Sequence, residues 1–414
     1  MSEKNRTISR RDFLKTAGAV SLGSSLVPIS VSAEASASAS SMNSEKMLVP
    51  TRPFGKTGVD VSILSLGGVL GMSDQLMFRQ AIRMGVSYWD TADSYGWGKN
   101  EKAIGKYISR FPDDRKKIFL VTKSSASDPI RLSEKLDESL QRMNTSYIDL
   151  YFIHHVADVK EKLTRDVRVW AEKAKAQGKI RFFGFSTHKN MENSMLAAAK
   201  LGWIDGIMMS YNYRLMVKSD MKRAVDACAK AGIGLTAMKT QASFSANFYA
   251  SIGSETDDAL KLTERLLAKG YTAEQANLKV VWENPNIASI CSAMPNMTIL
   301  QANVAAALNK KDLTSGDKQC MELYARQTAP GYCSGCADIC ESCVGKGIPI
   351  SDIMRWLMYE HAYGKPELSA GDLKKIEPTT LRRLIVTDFS KAEHRCPQNM
   401  PITKLMQKAS KKLV

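Results

Sequence analysis

Disulfide-forming residues are scarce in this sequence, which has eight cysteines among 414 residues. That number is far too low for a scaffold held together by disulfides. After the first fifty residues the chain also has no apolar run long enough to cross a membrane. No recognised nucleic-acid-binding motif accompanies its basic charge. The sequence therefore excludes a disulfide-rich module, and we expect no nucleic-acid partner.

Length and charge indicate one large globular domain with an appendage. Hydrophobic residues make up 44% and charged residues 24% of the chain, as in ordinary globular proteins. Lys and Arg outnumber Asp and Glu by 58 to 42, a formal net charge of +16. Residues 365–414 alone hold eleven basic and five acidic side chains. This basic tail predicts a negatively charged prosthetic group nearby or an acidic electron-carrier protein as a partner.

The N-terminus has the three parts of an export signal: a charged region, an apolar run of small residues and a small-x-small cleavage site. It resembles a twin-arginine export signal. We predict that the twin-arginine translocase exports the protein to the periplasm, that residues 1–33 are removed, and that no transmembrane anchor is left. Residues 34–50 are predicted to be a flexible linker. The three parts are Arg10-Arg11-Asp12-Phe13-Leu14-Lys15, Thr16 to Val31, and Val31-Ser32-Ala33.

Eight short β-rich runs alternate with amphipathic stretches between residues 60 and 310. Most of these stretches have apolar residues at helical spacing, as 131–144 does, and several end in glycine. This pattern predicts an α/β fold, a (β/α)8 TIM barrel at 51–315, followed by a mostly helical cysteine-containing extension at 316–414. A doubly wound sheet is the alternative, but the turn after the first strand lacks its G-x-G-x-x-G fingerprint. The predicted strands are Ile63–Gly68, Ser87–Ala92, Ile118–Lys123, Ile148–His154, Ile180–Ser186, Gly206–Tyr211, Gly234–Met238 and Ala288–Ser292.

Proton-handling side chains follow three neighbouring strands. Asp90 and Tyr95 come after the second strand, Lys123 ends the third and His154 ends the fourth. The C-terminal ends of barrel strands meet at one face, where chemistry takes place. An ammonium beside a phenol stabilises the phenolate, and a carboxylate can hold that ammonium in place. His155 is an alternative to His154 for this role. Side chains alternate along a strand, so we expect only one of the two rings to point into the C-terminal mouth of the barrel, and we expect it to be His154.

Five ordered segments resemble the aldo-keto reductase family over roughly residues 50 to 310. The resemblance implies reduction of a carbonyl, or oxidation of an alcohol, on a small-molecule substrate. It implies Tyr95 as the proton donor, with Asp90 and Lys123 as the pair that tunes it. His154 would orient the carbonyl. The segments are Tyr88–Gly96, which carries D-x-A-x-x-Y-G, then Val121–Lys123, Asp149–His154, Gly178–Arg181 with Gly184–Ser186, and Ser210–Asn212.

The same resemblance implies a nicotinamide dinucleotide, NAD(P)H, bound without a Rossmann fold. Relatives that bind the 2′-phosphate of NADP use a Lys and an Arg where this chain has Ala293 and Ile299. Either NAD or NADP is therefore compatible with the sequence. Met208 replaces an amide that is common in the family. The predicted contacts of the dinucleotide lie at the ends of the later strands and in one helix: Ser186, Asn212, Met238, Ser292 and Asn303.

Four cysteines fall within eleven residues after the barrel, and a fifth stands about fifty residues later before a proline. The pattern resembles C-x2-C-x2-C with a distant C-P in bacterial ferredoxins, with one residue inserted. It also resembles an iron–sulfur subgroup of aldo-keto reductases that carries a two-cluster C-terminal domain. Where that subgroup has its second set, this chain has Val386, Phe389 and Ala392, which leaves enough thiolates for one [4Fe–4S] cluster. The five cysteines are Cys333, Cys336, Cys340, Cys343 and Cys396.

By the C-P analogy Cys343 is the cysteine left over. Zinc fits four cysteines equally well by count, and disulfides suit an oxidising compartment, so both alternatives stay open. Three further cysteines are predicted to be small buried side chains: Cys228, Cys291 and Cys320.

Three functions are compatible with these features. The first is an exported oxidoreductase, and it is consistent with a route that carries folded, cofactor-loaded proteins. The second is a non-catalytic barrel that acts as a redox-sensing or binding subunit. The third is an electron-transfer protein that uses only the C-terminal cluster. The four proton-handling side chains favour the first.

Overall fold

The computed structural model describes residues 47–69, 74–241, 264–345, 347–363 and 376–413. From Met47 onward the chain forms one compact unit. The predicted signal peptide and most of the predicted linker lie outside the described residues. Among the helices that are described, none combines the length and the hydropathy needed to cross a membrane.

The described chain begins with a short antiparallel hairpin, which the sequence pattern did not predict. Strand β1 (Thr51–Pro53) pairs with β2 (Asp60–Ser62). Phe54, just after β1, is fully buried. Its ring lies against the first residues of two later strands, Gly206 and Gly234, and a Cβ at Gly234 would come within 2.5 Å of that ring. The hairpin therefore closes the N-terminal end of the sheet, and glycine is required where Phe54 enters.

Eight parallel strands close into a barrel in which each strand pairs with its neighbour in sequence and the last pairs with the first. The predicted TIM barrel is confirmed, and each strand matches a predicted one to within two residues. The barrel has no free edge at which another chain could add a strand. The strands are β3 (Leu64–Gly67), β4 (Tyr88–Asp90), β5 (Phe119–Ser124), β6 (Ile148–Ile153), β7 (Ile180–Thr187), β8 (Gly206–Ser210), β9 (Gly234–Met238) and β10 (Ile287–Ala293).

Helices cover the outside of the barrel and bury their apolar faces against it. The helix predicted at 131–144 runs instead from Pro129 to Arg142, because the Asp128 side chain caps it by accepting from the Arg131 amide. Leu132 and Leu136 are buried on its inner face as predicted. The helices are α1 (Gln75–Arg83), α2 (Lys99–Arg110), α3 (Pro129–Arg142), α4 (Val159–Lys162), α5 (Arg165–Ala176), α6 (Met191–Ala198), α7 (Ser219–Lys230), α8 (Ala273–Trp282) and α9 (Met297–Leu308).

The apolar core has two layers, one inside the barrel and one between the strands and the helices. Phe54, Tyr88, Val121 and Phe152 are among the side chains of the inner layer. Full burial of such side chains stabilises the fold by about 1.5–3 kcal/mol each. The polar residues discussed below therefore lie above a packed interior rather than in a channel.

The extension after the barrel is mostly helical, as predicted. Its first helix has a capping box, in which Thr314 and Asp317 satisfy each other's backbone amides. The last helix packs against the three helices before it, and Leu384, Leu405 and Met406 are buried there. The helices are α10 (Ser315–Gln327), α11 (Ala337–Cys340), α12 (Ile350–Tyr363), α13 (Pro378–Val386), α14 (Ser390–His394) and α15 (Ile402–Leu413).

Candidate active site

The four predicted catalytic residues lie side by side at the C-terminal end of the barrel. Asp90 is the last residue of β4, and Lys123 lies one residue before the end of β5. Tyr95 and His154 are in the turns that follow β4 and β6. Parallel strand pairing in register brings these strand ends to one face, so residues that are distant in sequence meet there.

Asp90 and Lys123 form a buried ion pair. The Lys123 Nζ lies 2.6 Å from Asp90 Oδ1, and the two side chains are 1% and 3% exposed. Lys123 also donates to the Thr91 carbonyl at 2.7 Å. Burial raises the pKa of Asp90, although the Lys123 ammonium opposes the shift. Removing either partner would leave the other as an uncompensated charge in the protein interior.

Tyr95 is partly buried beside this pair. The Lys123 Nζ lies 5.1 Å from the centroid of the Tyr95 ring. The His154 ring stands edge-on to the Tyr95 ring, with centroids 5.9 Å apart and planes at 74°. The Tyr95 ring therefore has both an ammonium and an imidazole among its neighbours. This is the environment that stabilises a phenolate and positions a carbonyl oxygen near it.

His154 is a buried imidazole whose surroundings favour its neutral form. Burial, followed by the charges of His155, Lys123 and Arg355, lowers the pKa of His154 well below its usual value. Its Nδ1 has no hydrogen-bond partner among the described residues. A buried polar atom without a partner is costly, which makes this nitrogen a candidate contact for a bound molecule.

The choice of His154 over His155 stays a prediction; the His154 side chain is buried, whereas that of His155 is exposed. His155 has a left-handed backbone conformation, with φ of +60°, which interrupts the alternation expected along a strand. Its ring consequently stacks on the His154 ring at a centroid distance of 3.7 Å. His188, which the sequence analysis missed, adds a third ring 5.3 Å from that of His155.

Two of the predicted dinucleotide contacts are hydrogen-bonded to other parts of the protein. Ser186 Oγ accepts from the His155 amide at 3.3 Å. The Asn212 amide donates to the Lys239 carbonyl at 3.3 Å and to the Tyr332 hydroxyl at 2.8 Å. Its Oδ1 accepts from two backbone amides of the following turn. Asn212 therefore joins the barrel to the extension, and its role toward a cofactor stays a prediction.

Ser292 and Asn303 form one network with Gln241, which the sequence analysis did not select. Ser292 Oγ donates to Gln241 Oε1 at 2.6 Å and accepts from the Asn303 amide at 3.0 Å. Gln241 in turn donates to Asn303 Oδ1 at 2.9 Å. Met238 ends β9 nearby in sequence and is partly buried. The end of β10 and helix α9 thus present a connected set of amide and hydroxyl groups.

The aldo/keto reductase family profile matches residues 73–318, more than half of the chain. The chain belongs to the aldo/keto reductase family. The uncharacterized oxidoreductase YqkF of Bacillus subtilis is 26% identical over 304 residues, which cover 67% of this chain and 96% of that protein. The aldo-keto reductase yakc [NADP(+)] of Schizosaccharomyces pombe is 26% identical over 276 residues, which cover 61% of this chain and 79% of that protein.

A solved structure supports the same fold for this aldo/keto reductase. The holo form of aldo-keto reductase AKR11C1 from Bacillus halodurans superposes with a TM-score of 0.54 at 22% identity. The match covers 67% of this chain and 96% of that one. The cysteine-containing extension follows the segment that the family profile matches.

Four of the five C-terminal cysteines of this aldo/keto reductase line a single cavity, with apolar side chains such as Ile339 and Met354 around them. Burial, followed by the neighbouring Cys336 thiol, raises the pKa of Cys333 to about 12. Cys343 lies outside this cavity, where its sulfur contacts the Ile339 carbonyl and the Arg395 guanidinium. All eight cysteines of the chain are described, and none forms a disulfide. The four that line the cavity are Cys333, Cys336, Cys340 and Cys396.

A second cavity lies between the mouth of the aldo/keto reductase barrel and the extension. Lys239 and Arg355 both line it, and neither was selected from the sequence. Burial, and then the charge of Arg355, lowers the pKa of Lys239 well below its usual value. Lys239 directly follows a barrel strand, which was the one sequence signal available for it. Arg355 carried no such signal, because only the fold of the extension brings α12 to the mouth.

Proposed function

We propose that this protein is an exported oxidoreductase that reduces a carbonyl, or oxidises an alcohol, with a nicotinamide dinucleotide. The observation that carries this proposal is the buried Asp90–Lys123 ion pair beside Tyr95 and His154. Membership of the family, and a relative whose name includes NADP(+), support the reaction class and the cofactor.

The roles of the four residues follow from their positions. In the reducing direction, Tyr95 would give its proton to the carbonyl oxygen, and Lys123 would stabilise the phenolate that is left. Asp90 holds Lys123 in place and offsets the cost of its burial. His154, as a neutral imidazole, can donate one hydrogen bond to the same oxygen and fix its direction. The oxidising direction reverses the proton transfer.

A bound dinucleotide would supply or accept the hydride. The residues present fit such a cofactor, because the end of β10 and helix α9 present a connected set of hydroxyl and amide groups. Ser186, Met238, Ser292 and Asn303 would hold it, together with Gln241. Ala293 and Ile299 provide no positive charge for a 2′-phosphate. We therefore propose that these two positions do not favour NADP over NAD.

The extension is proposed to hold one [4Fe–4S] cluster through Cys333, Cys336, Cys340 and Cys396. Their shared cavity and the separate position of Cys343 support this set. Zinc fits four thiolates equally well by count, and iron and sulfide in the purified protein would distinguish the cluster from it. A cluster supplies one-electron transfer.

Export is proposed from the twin-arginine motif, which lies outside the described residues. The twin-arginine route suits a protein whose cofactors must be loaded before it leaves the cytoplasm. The basic tail would then face either the cluster or an acidic electron carrier in the periplasm.

One purification tests the proposal. The full chain, purified without oxygen, should contain iron and sulfide and should release a nicotinamide dinucleotide when it is denatured. It should also reduce simple aldehydes with a nicotinamide dinucleotide. Tyr95→Phe should lose this activity but keep its iron and its nucleotide. The control is Tyr147→Phe, which removes a phenol just before the N-terminal end of β6; it should keep the activity, the iron and the nucleotide. Full activity of Tyr95→Phe would contradict the assignment of the proton donor.

One observation favours a second candidate, a redox-sensing or electron-transfer protein. The Asn212 amide, a predicted cofactor contact, is already bonded to Tyr332 of the extension. In that case the same preparation would contain iron but would neither hold a dinucleotide nor turn over aldehydes.

A further inference from the structure

The cavity at the barrel mouth is built jointly by the barrel and the extension. Its volume is about 20 Å³, slightly more than one water molecule needs. Besides Lys189 and Tyr332, the polar side chains around it are His188, Ser210 and Lys239 from the barrel, and Ser334, Ser351 and Arg355 from the extension.

The charged side chains that line this cavity are all basic: Lys189, Lys239 and Arg355. Lys189 also pairs with Glu341 at 2.9 Å, and Cys333, a proposed cluster ligand, lines the cavity too. Asp352 pairs with Arg355 at 2.9 Å and reaches Lys189 at 3.4 Å, but it does not line the cavity. Two cations that share an enclosed space raise each other's electrostatic cost, and an anionic group between them offsets that cost. The hydroxyl groups provide further hydrogen-bond donors.

A metal ion is a poor candidate for the same place. One ring nitrogen each of His154, His155 and His188 lies within 4.8 Å of the others, a spacing that could hold a cation. However, Lys123, Lys239 and Arg355 surround these rings closely enough to act on their ionisation. Cations on several sides disfavour a metal and favour an anion.

A chain of ring contacts connects the cavity to the reaction centre. His188 lines the cavity, and its ring lies 5.3 Å from that of His155. His155 stacks on His154, which stands edge-on to Tyr95. These contacts make the cavity a neighbour of the proposed reaction centre.

We propose that this cavity is the carboxylate subsite of the substrate, with Arg355 and Lys239 as its binding residues. The substrate class is then a carbonyl compound that carries a carboxylate, such as an oxo acid. This inference rests on the proposed function. The phosphates of a dinucleotide offer the same oxyanion chemistry, and the experiment separates the two sources.

The test compares 4-formylbenzoate with methyl 4-formylbenzoate, two aldehydes that differ in one negative charge. The holoenzyme should have a higher kcat/KM for the acid. Arg355→Met and, separately, Lys239→Met should reduce the acid-to-ester ratio by about tenfold or more, because each removes a charged donor. Arg355→Lys should keep part of the preference. Arg382→Met, which removes an exposed charge from α13 of the same extension, should leave the ratio unchanged.

The outcomes separate the inference from the proposed function. An unchanged ratio in both methionine variants, with the ester still reduced, would overturn the subsite and leave the oxidoreductase standing. Failure of the unsubstituted holoenzyme to reduce either aldehyde would count against the proposed function itself. Dinucleotide affinity, followed by nicotinamide fluorescence, should not change in Arg355→Met. A loss of that affinity with an unchanged ratio would assign the anion to the cofactor and overturn the substrate subsite. If Arg355→Met does not fold, the acid-to-ester ratio of Lys239→Met still tests the subsite.

Discussion

The Asn212 amide at the barrel mouth donates a hydrogen bond of 2.8 Å to the phenol of Tyr332 in the extension, 120 residues later in the chain. The backbone amide of Asn190 donates to the Gly335 carbonyl at 2.8 Å, and the Lys218 ammonium donates to the Ser334 hydroxyl at 2.7 Å. The extension is therefore part of the wall of the candidate active site. Cys333 lines both the cysteine cavity and the mouth cavity, so the proposed cluster and the proposed reaction centre are neighbours.

Tyr332→Phe should destabilise the protein, because it removes the acceptor of a buried Asn212 hydrogen bond. The expected loss in the free energy of unfolding is about 1–3 kcal/mol. Urea unfolding of the full chain measures it, with Tyr147→Phe as the control for the loss of a phenol away from this contact. Equal stability of the two variants would mean that the Asn212–Tyr332 bond contributes nothing.

Gly335→Ala should move the extension away from the barrel. The residue has φ of +79°, and a Cβ there would lie 2.3 Å from the His188 carbonyl oxygen. Gly347→Ala is the matched control, since its φ is +86° but its nearest contact, the flexible end of Arg383, is 4.0 Å away. Limited proteolysis should cut the extension of Gly335→Ala faster than that of Gly347→Ala. Identical cleavage would indicate that the close approach is not needed for docking.

Cys340→Ser should lose the proposed cluster, whereas Cys343→Ser should keep it. Cys340 lines the cysteine cavity and Cys343 lies outside it, although only two residues stand between them in sequence. The measurement is iron and sulfide per chain after anaerobic purification, together with visible absorbance. Loss of iron from Cys343→Ser with retention in Cys340→Ser would reverse the ligand assignment.

The strands were predictable because each is a short apolar run, and several of them follow a glycine that ends the preceding helix. The hairpin at β1 and β2 was not, since strands of three residues carry too little pattern. The positive φ of His155 depends on how the chain leaves β6, which alternation alone cannot predict. Arg355 and Tyr332 reach the mouth only through long-range packing of the extension, so no local pattern marked them.

Asp317 should make stability depend on pH at the acid end. Burial alone would raise its pKa, but hydrogen bonds from Lys269, Thr314 and Arg265 lower the pKa of Asp317 well below its usual range. A lowered pKa in the folded state contributes stability above the unfolded value, about 3.9, and this contribution is lost as the pH falls below it. Asp317→Asn should therefore be less stable than the unsubstituted protein at pH 7, and the difference should shrink toward pH 3. Urea unfolding across that interval measures it. A constant difference would mean that the carboxylate charge is not the cause.

Asp90→Asn should destabilise the protein more than the double variant Asp90→Asn with Lys123→Met. The single change leaves the buried Lys123 ammonium without its counter-charge, a loss of about 3–5 kcal/mol for a buried pair. The double change removes both charges and restores part of that stability. Urea unfolding of the two single variants and the double variant completes the cycle and yields the coupling between the residues. Both single variants should also lose aldehyde reduction, and the double variant should not recover it, because Tyr95 then lacks the ammonium that stabilises its phenolate. Additive losses of stability would show that the 2.6 Å contact between these two side chains contributes no coupling energy.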